Sequence, residues 1–339
     1  MKLASGIKTQ WRDWQQFWFA PMDLYNAGLF RMLFGGTLLV MYIQRFSEWK
    51  YFFTNQGMLP LAHWENVVTI LGRMTSHPFF AHSDSGIHIQ AIVHLVLLVL
   101  FTTGLAGRLL TGVLFLVNLG LIQRNWMIAY GADLFANFWL FYLTFVRHNQ
   151  YFSLWNFLKK GRRRIERKEA SGDILSTMGL RLIQIQLCIS YAYTGVEKFK
   201  GTSWWEGSAV WRVVGMDDLV PKDFSFLYHY PLLVAALSMG TVVFEVYFCF
   251  AVWHARWRWP WLLVGFLFHL STALFMDLWY FFLVMTTPYL LFLPRLYRRA
   301  ATVDFSDSNR KLTSFEDEED NVALKHEDNV ALKHKEEIV

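Results

Sequence analysis

Long apolar stretches separated by short polar segments dominate the chain. Eight stretches have the length of about 17 to 25 residues at which a helix crosses the hydrocarbon of a bilayer. The pattern therefore predicts an all-α, polytopic membrane helix bundle of about eight transmembrane helices. We expect the spans at residues 25–46, 87–103, 107–123, 131–147, 175–198, 230–253, 260–276 and 278–294.

Composition supports a membrane protein rather than a soluble one. Hydrophobic residues make up 54% of the chain and charged residues 17%, a balance that ordinary soluble domains do not have. The 16 Trp and 31 Phe fit helices that end in headgroup regions, where amphipathic rings are favoured. The basic residues cluster beside apolar spans, so we expect the lipid bilayer as partner and no nucleic acid.

Basic residues also predict the orientation. Seven Lys and Arg residues crowd into the segment 159–168 after the fourth span, and such a loop stays cytoplasmic. Counting outward from it places both termini in the cytoplasm and the segments 47–86, 124–130 and 199–229 outside. We therefore predict a multi-pass protein of the plasma (cytoplasmic) membrane whose chemically varied face points outward.

The segment 1–24 precedes the first span and is predicted to be a cytoplasmic helix lying in the interface. Trp11, Trp14 and Trp18 recur there at helical spacing, and Pro21 ends the pattern. The transmembrane domain is then predicted at 25–297.

The segment 298–339 is a charged tail that we predict to be cytoplasmic and disordered. It repeats the octad EDNVALKH in tandem at 319–326 and 327–334.

Few ionisable groups lie within the predicted spans. Each costs several kcal/mol at bilayer depth unless it is paired or hydrated, which makes it a functional candidate. For Arg31, Glu245 and His94 a structural polar role is favoured. Loop histidines such as His77 give no convincing ligand set, so no metal is expected. The full set is Arg31, His94, Arg181, Lys198, Glu245 and His269.

The fifth span carries a polar stripe. Its members lie on one helix face because they precede Lys198 by four, seven and fourteen positions, and that face should look into the bundle. Lys198 ends the stripe at the predicted outer surface, where a cavity opening outward could also reach His269. The stripe consists of Gln184, Tyr191, Thr194 and Lys198.

The segment from Tyr191 to Lys198, followed by Trp204 to Gly207, resembles the signature of the horizontally transferred transmembrane (HTTM) family. That family includes the vitamin K-dependent γ-glutamyl carboxylases. Three further segments are similar to other helices of the family. They are Leu29 to Gly35, Arg124 to Asp133, and Phe268 to Phe275.

The resemblance implies an enzyme that modifies a secreted peptide or a lipid at the outer face. Lys198 would be the base that deprotonates reduced vitamin K or another naphthoquinol, with oxygen and carbon dioxide as co-substrates and no metal. His269 would orient the quinol or stabilise negative charge. The base must be an uncharged amine, which a dry aromatic pocket supplies. Quinone or substrate contacts are expected from Tyr191, Thr194, Gln184, Trp204, Glu206, Asn125 and Tyr130.

Two departures from the carboxylases keep other functions open. Trp126 stands where those enzymes have a histidine, and a charged tail stands where they have a large luminal domain, so outer loops or a partner protein would have to capture a peptide. The alternatives are a non-catalytic membrane factor for maturation, export or immunity of a secreted peptide and, third, a transporter.

Overall fold

The computed structural model describes residues 2–63, 83–154, 157–158, 172–216 and 219–294, without the side chains of 2–9. These residues form helices and no β-strand, which confirms the all-α prediction. The basic segment 159–168, the loop histidine His77 and the tail at 298–339 lie outside the described residues.

The helices follow the predicted apolar stretches closely. Five of them, α2, α4, α7, α10 and α11 as defined below, are long and apolar enough to cross a membrane. The α-helices are α1 (Lys2–Phe19), α2 (Tyr25–Ser47), α3 (Trp49–Phe53), α4 (Asp84–Thr102), α5 (Arg108–Arg124), α6 (Gly131–Leu143), α7 (Ile174–Lys198), α8 (Thr202–Trp205), α9 (Ala209–Val214), α10 (Pro231–Ala251), α11 (Ala255–Met276) and α12 (Trp279–Thr286).

The eighth predicted span is not one continuous α-helix. Helix α12 ends at Thr286, and a 3-10 helix continues from Thr287 to Phe292. Pro288 lies at its start and lacks the N–H that an α-helix would use. Helices α5 and α6 are also short, with 17 and 13 residues, so a total of eight crossings stays a prediction.

Among the described elements, α7 and α10 form the most extensive helix pair. A glycine permits their close approach: a Cβ at Gly195 would lie 2.9 Å from the backbone nitrogen of Val246 and 3.1 Å from Cβ of Glu245. Small residues at helix contacts let backbones approach in this way in membrane bundles. The contact brings the C-terminal part of α7 next to Glu245.

Arg31 is fully buried in α2 and joins two other parts of the bundle. Its Nη1 donates to the carbonyls of Phe101 at 2.7 Å and Thr102 at 2.9 Å, at the end of α4. Its Nη2 donates to the carbonyls of Tyr151 at 3.3 Å and Phe152 at 2.6 Å. Carbonyls at helix ends lack helical donors, so this guanidinium holds α2 to the end of α4 and to the segment after α6.

His94 links three helices. Its Nε2 lies 3.1 Å from Oδ1 of Asn118 in α5, and Nδ2 of Asn118 donates to Oδ1 of Asn137 in α6 at 2.8 Å. Buried polar side chains of a membrane bundle gain by such bonds between helices. In the described part of the chain, neither His94 nor Arg31 forms a hydrogen bond or ion pair with Glu245, because both bind other groups.

Helix α1 packs against α7. The Arg181 guanidinium lies 4.2 Å from the Phe17 ring centre, and its Nε donates to the Phe17 carbonyl at 3.1 Å. Trp11 and Trp14 are exposed on the same helix, which ends at Phe19. A location of α1 at the membrane surface stays a prediction.

Candidate functional site

Lys198 and Glu245 form an ion pair between α7 and α10. The Lys198 Nζ lies 2.6 Å from Oε2 of Glu245, with the lysine side chain 20% exposed and the glutamate side chain 5% exposed. The amine also lies 5.1 Å from the ring centre of Trp204, in the short helix α8. Sequence reasoning singled out both ionisable residues but did not pair them, although two opposite charges at depth were a usable signal.

A hydrogen-bonded cluster lies deeper in the bundle. The Tyr191 hydroxyl lies 2.6 Å from Nε2 of His269 in α11 and 2.5 Å from the hydroxyl of Tyr289. All three side chains are buried, and Nδ1 of His269 has no hydrogen-bond partner within the described structure. Tyr289 was missed because tyrosine in an apolar stretch carries no distinctive pattern.

The two groups share α7. Tyr191 and Lys198 are seven residues apart, which is two helical turns and roughly 10 Å along the axis. The deeper cluster is enclosed by aromatic rings: Phe248 lies 4.2 Å from the Tyr191 ring centre, and Phe281 lies 5.3 Å from the His269 ring centre. A dry cluster therefore lies below a partly open ion pair. Together, Lys198, Glu245, Tyr191, His269, Tyr289 and Trp204 are called the lysine site below.

Gln184 and Thr194, the other two members of the predicted stripe, differ in burial and in their hydrogen bonds. Gln184 is buried, and its Nε2 donates to the Leu291 carbonyl at 2.8 Å, which fastens the 3-10 helix to α7. Thr194 is exposed and donates to the Ser190 carbonyl at 3.0 Å. Although Thr194 is exposed, its side chain also hydrogen-bonds Glu245, so this part of the predicted stripe still meets α10.

Glu206 lies on the surface, 3.5 Å from Arg212. Glu197 forms an exposed pair with Lys200 at 2.6 Å, and as the residue before Lys198 it points about 100° away from Lys198 around the helix. Of the acidic residues near the end of α7, only Glu245 is within ion-pair distance of Lys198 in the described part of the chain.

Asn125 and Tyr130 belong to a separate region. Asn125 is buried, and its Nδ2 donates to the Phe52 carbonyl at 2.6 Å, so it fixes the loop before α6. The Tyr130 amide donates to Asp133, which pairs with Arg45 through contacts of 2.5 and 2.8 Å. Burial and the Asp133 carboxylate raise the pKa of the Tyr130 phenol to about 12, which keeps it a neutral hydrogen-bonding group.

Three cavities of note lie outside the lysine site. One of about 640 Å³ lies at the turn between α10 and α11, one of about 610 Å³ between α5 and α6, and one of about 390 Å³ among loop residues 211–225. The second is lined by Tyr130, Asp133 and Asn137. None of these three is lined by Lys198, Tyr191 or His269.

Within the described ranges, no group of three or more His, Cys, Asp or Glu side chains has the arrangement of a metal site. No family model, curated protein or solved structure matches this chain.

Proposed function

We propose that this protein is a membrane-embedded enzyme in which Lys198 acts as a base on a reduced quinone, in the manner of the vitamin K-dependent carboxylases. The observation that carries the proposal is the pairing of Lys198 with Glu245 at 2.6 Å, above the buried cluster of Tyr191 and His269. An isolated anchoring lysine would extend towards water. Lys198 is instead held against a carboxylate that is itself buried.

Glu245 gives the amine a way to lose its charge. If the ammonium proton moves to the Glu245 carboxylate, the pair becomes a neutral amine and a carboxylic acid, and the net charge does not change. Burial of the Glu245 side chain, which is 5% exposed, favours this neutral form because an ionised carboxylate is costly to bury. Lys198 can then accept a proton from a hydroxyl beside it, and Glu245 is a positioning residue and proton acceptor.

His269 would act deeper in the site. Its Nε2 is engaged by the Tyr191 hydroxyl, while Nδ1 is buried without a partner in the described structure. A buried polar atom without a hydrogen-bond partner has a desolvation cost. A bound molecule with a hydroxyl or carbonyl group could offset this cost by forming a hydrogen bond. His269 would therefore orient an oxygen of the bound molecule, and Tyr191 and Tyr289 would hold the imidazole in place.

The residues fit a quinol in chemical type: an amine, an imidazole nitrogen, the Trp204 indole and a wall of phenylalanine rings. When bound, a reduced naphthoquinone supplies an acidic hydroxyl and the electrons that oxygen consumes. The substrate would be a glutamate-containing secreted peptide or a lipid at the outer face, with carbon dioxide as co-substrate. Lys198 ends α7 and is followed by the segment 199–229, which is predicted outside. A substrate bound by the outer loops would therefore lie close to the amine.

The test is oxygen consumption by membranes that contain the full-length chain, measured after adding a reduced naphthoquinone. A general base contributes about 10² to 10⁴ in rate, so Lys198→Ala should reduce the rate at least about 100-fold. Lys200→Ala is the matched control, because it removes a lysine two residues away that is exposed and paired with Glu197. An unchanged rate in Lys198→Ala at equal protein level would disprove the proposal.

A non-catalytic membrane factor is the second candidate. It is favoured by the placement of the three cavities, none of which is lined by Lys198. In that case the Lys198 pair only joins α7 to α10. Oxygen consumption would then stay at background in the wild-type protein, while exchange of the outer loops would abolish the biological role.

A further inference from the structure

The 640 Å³ cavity at the turn between α10 and α11 has an aromatic wall that opens towards lipid. Tyr247, Phe250 and Trp257 line it, and each is more than half exposed. Large apolar side chains with this exposure in a membrane bundle face the bilayer rather than another helix. A guest of this cavity would therefore enter from the membrane, and its apolar part would pack against Trp253, Trp257 and Trp261.

The charged residues at this turn are all basic. Residues 246–276 contain no Asp or Glu, whereas Arg256 and Arg258 lie within one turn of each other at the start of α11. His254 adds a third group that can carry positive charge. An uncompensated cluster of this kind at a membrane surface attracts anionic headgroups.

Arg258 is the cation best placed for a guest of the cavity. It lies three residues before Trp261, a spacing that places these two side chains on the same face of α11. Its Nε donates to the carbonyl of Val252 at 3.0 Å, and its Nη2 to the carbonyl of Trp253, a cavity residue, at 3.4 Å. The guanidinium is therefore held beside Trp253 at the edge of the cavity, and its Nη1 makes no hydrogen bond within the described residues.

A second guanidinium lies near Trp253. Arg181 is 5.9 Å from the Trp253 ring centre and 4.2 Å from that of Phe17. It is bound to the Phe17 carbonyl and to Gln184 rather than to a carboxylate. Arg258 and Arg181 therefore both lie near Trp253 of the cavity wall, and neither forms an ion pair within the described residues.

We propose that this cavity binds an anionic phospholipid, with an acyl chain against the indoles and the phosphate against Arg258. Arginine suits the task because its planar group donates two parallel hydrogen bonds to phosphate and loses less hydration than lysine. A zwitterionic lipid would offer the same acyl chain but would bring its own cation to a positive rim. The site is independent of the lysine site and does not require the proposed reaction.

The experiment offers equal amounts of phosphatidylglycerol and phosphatidylcholine to the delipidated full-length chain in detergent. Retained lipid is then extracted and quantified by mass spectrometry. The wild-type protein should retain phosphatidylglycerol preferentially. Arg258→Gln should lower that preference roughly tenfold, the loss expected for one charge-assisted hydrogen bond. Lys222→Gln is the control, because it removes an exposed cation in the 390 Å³ loop cavity instead.

Three results would overturn the proposal: equal retention of the two lipids, an unchanged preference in Arg258→Gln, or displacement of the phospholipid by an equal amount of oleate. Arg258 also binds two backbone carbonyls, and the variant could fail to fold. The wild-type preference is then measured at rising salt concentration. Salt screens an exposed contact between guanidinium and phosphate, so the preference should fall; a preference insensitive to salt would contradict the proposed contact.

Discussion

At the scale of single residues, the contribution of the Lys198–Glu245 pair to stability can be measured separately from its contribution to catalysis. Removing one partner of a buried pair leaves an uncompensated charge, which costs about 3 to 5 kcal/mol, whereas replacing both by apolar residues is often tolerated. We expect Lys198→Met to lower the melting temperature in detergent and the double variant Lys198→Met with Glu245→Leu to recover most of it. Neither should consume oxygen with a reduced naphthoquinone.

The double variant distinguishes the two candidate functions. If stability and biological role recover together, the pair serves only to join helices. If stability recovers without oxygen consumption, the amine has a chemical role. A double-mutant cycle is the appropriate measure because the two residues are in contact and their effects do not add.

The sequence located the ionisable residues at depth but not their partners. Arg31, Lys198 and Glu245 stand out because charge in an apolar stretch is rare. Which of them meet depends on helix packing, and a hydropathy pattern carries no information about it. The carbonyl ligands of Arg31 are backbone atoms, which no side-chain pattern can reveal.

At the scale of helices, Gly195 sets the distance between α7 and α10. A Cβ there would lie 2.9 Å from the Val246 nitrogen, a backbone atom that cannot rotate away. We expect Gly195→Ala to destabilise the protein by about 1 to 3 kcal/mol, the usual cost of overpacking, and to lower oxygen consumption by moving Glu245 from Lys198. Thermal denaturation in detergent measures the first effect, and the oxygen electrode the second.

Gly240 provides the matched control. It lies in α10 like the residues that Gly195 contacts, but a Cβ there meets no atom within 4 Å. Gly240→Ala should leave stability unchanged or raise it, because alanine is the better helix former by about 1 kcal/mol. Equal destabilisation by both substitutions would show that the close approach at Gly195 does not matter.

Helix boundaries were predictable wherever a long apolar stretch was not interrupted. The predicted span 175–198 corresponds to α7 at Ile174–Lys198, and 25–46 to α2 at Tyr25–Ser47. At 278–294 the apolar helical stretch is Trp279–Phe292, but its second half is a 3-10 helix, because Pro288 changes the backbone geometry without interrupting the apolar run. The apolar content of a segment indicates whether lipid or water surrounds it, whereas its backbone hydrogen bonds decide whether it is α-helical.

At the scale of the whole molecule, the orientation in the membrane is a separate prediction. Helix lengths establish candidate crossings, but only the distribution of Lys and Arg indicates which side is cytoplasmic. The loop 199–229 is predicted outside, and with it the open end of the lysine site. Both termini and the proposed lipid cavity are predicted on the opposite side.

Single cysteines and a membrane-impermeant maleimide test this arrangement. In a background without Cys188 and Cys249, we expect Ser225→Cys to react in intact cells, because Ser225 is exposed and belongs to the segment 199–229 that is predicted outside. Ser5→Cys and Ser308→Cys should react only after permeabilisation. Labelling of Ser308→Cys in intact cells with Ser5→Cys protected would mean an odd number of crossings. Labelling of both termini in intact cells, with Ser225→Cys protected, would show that the orientation is the opposite of the predicted one. Lys198 would then face the cytoplasm, where a secreted peptide could not reach it.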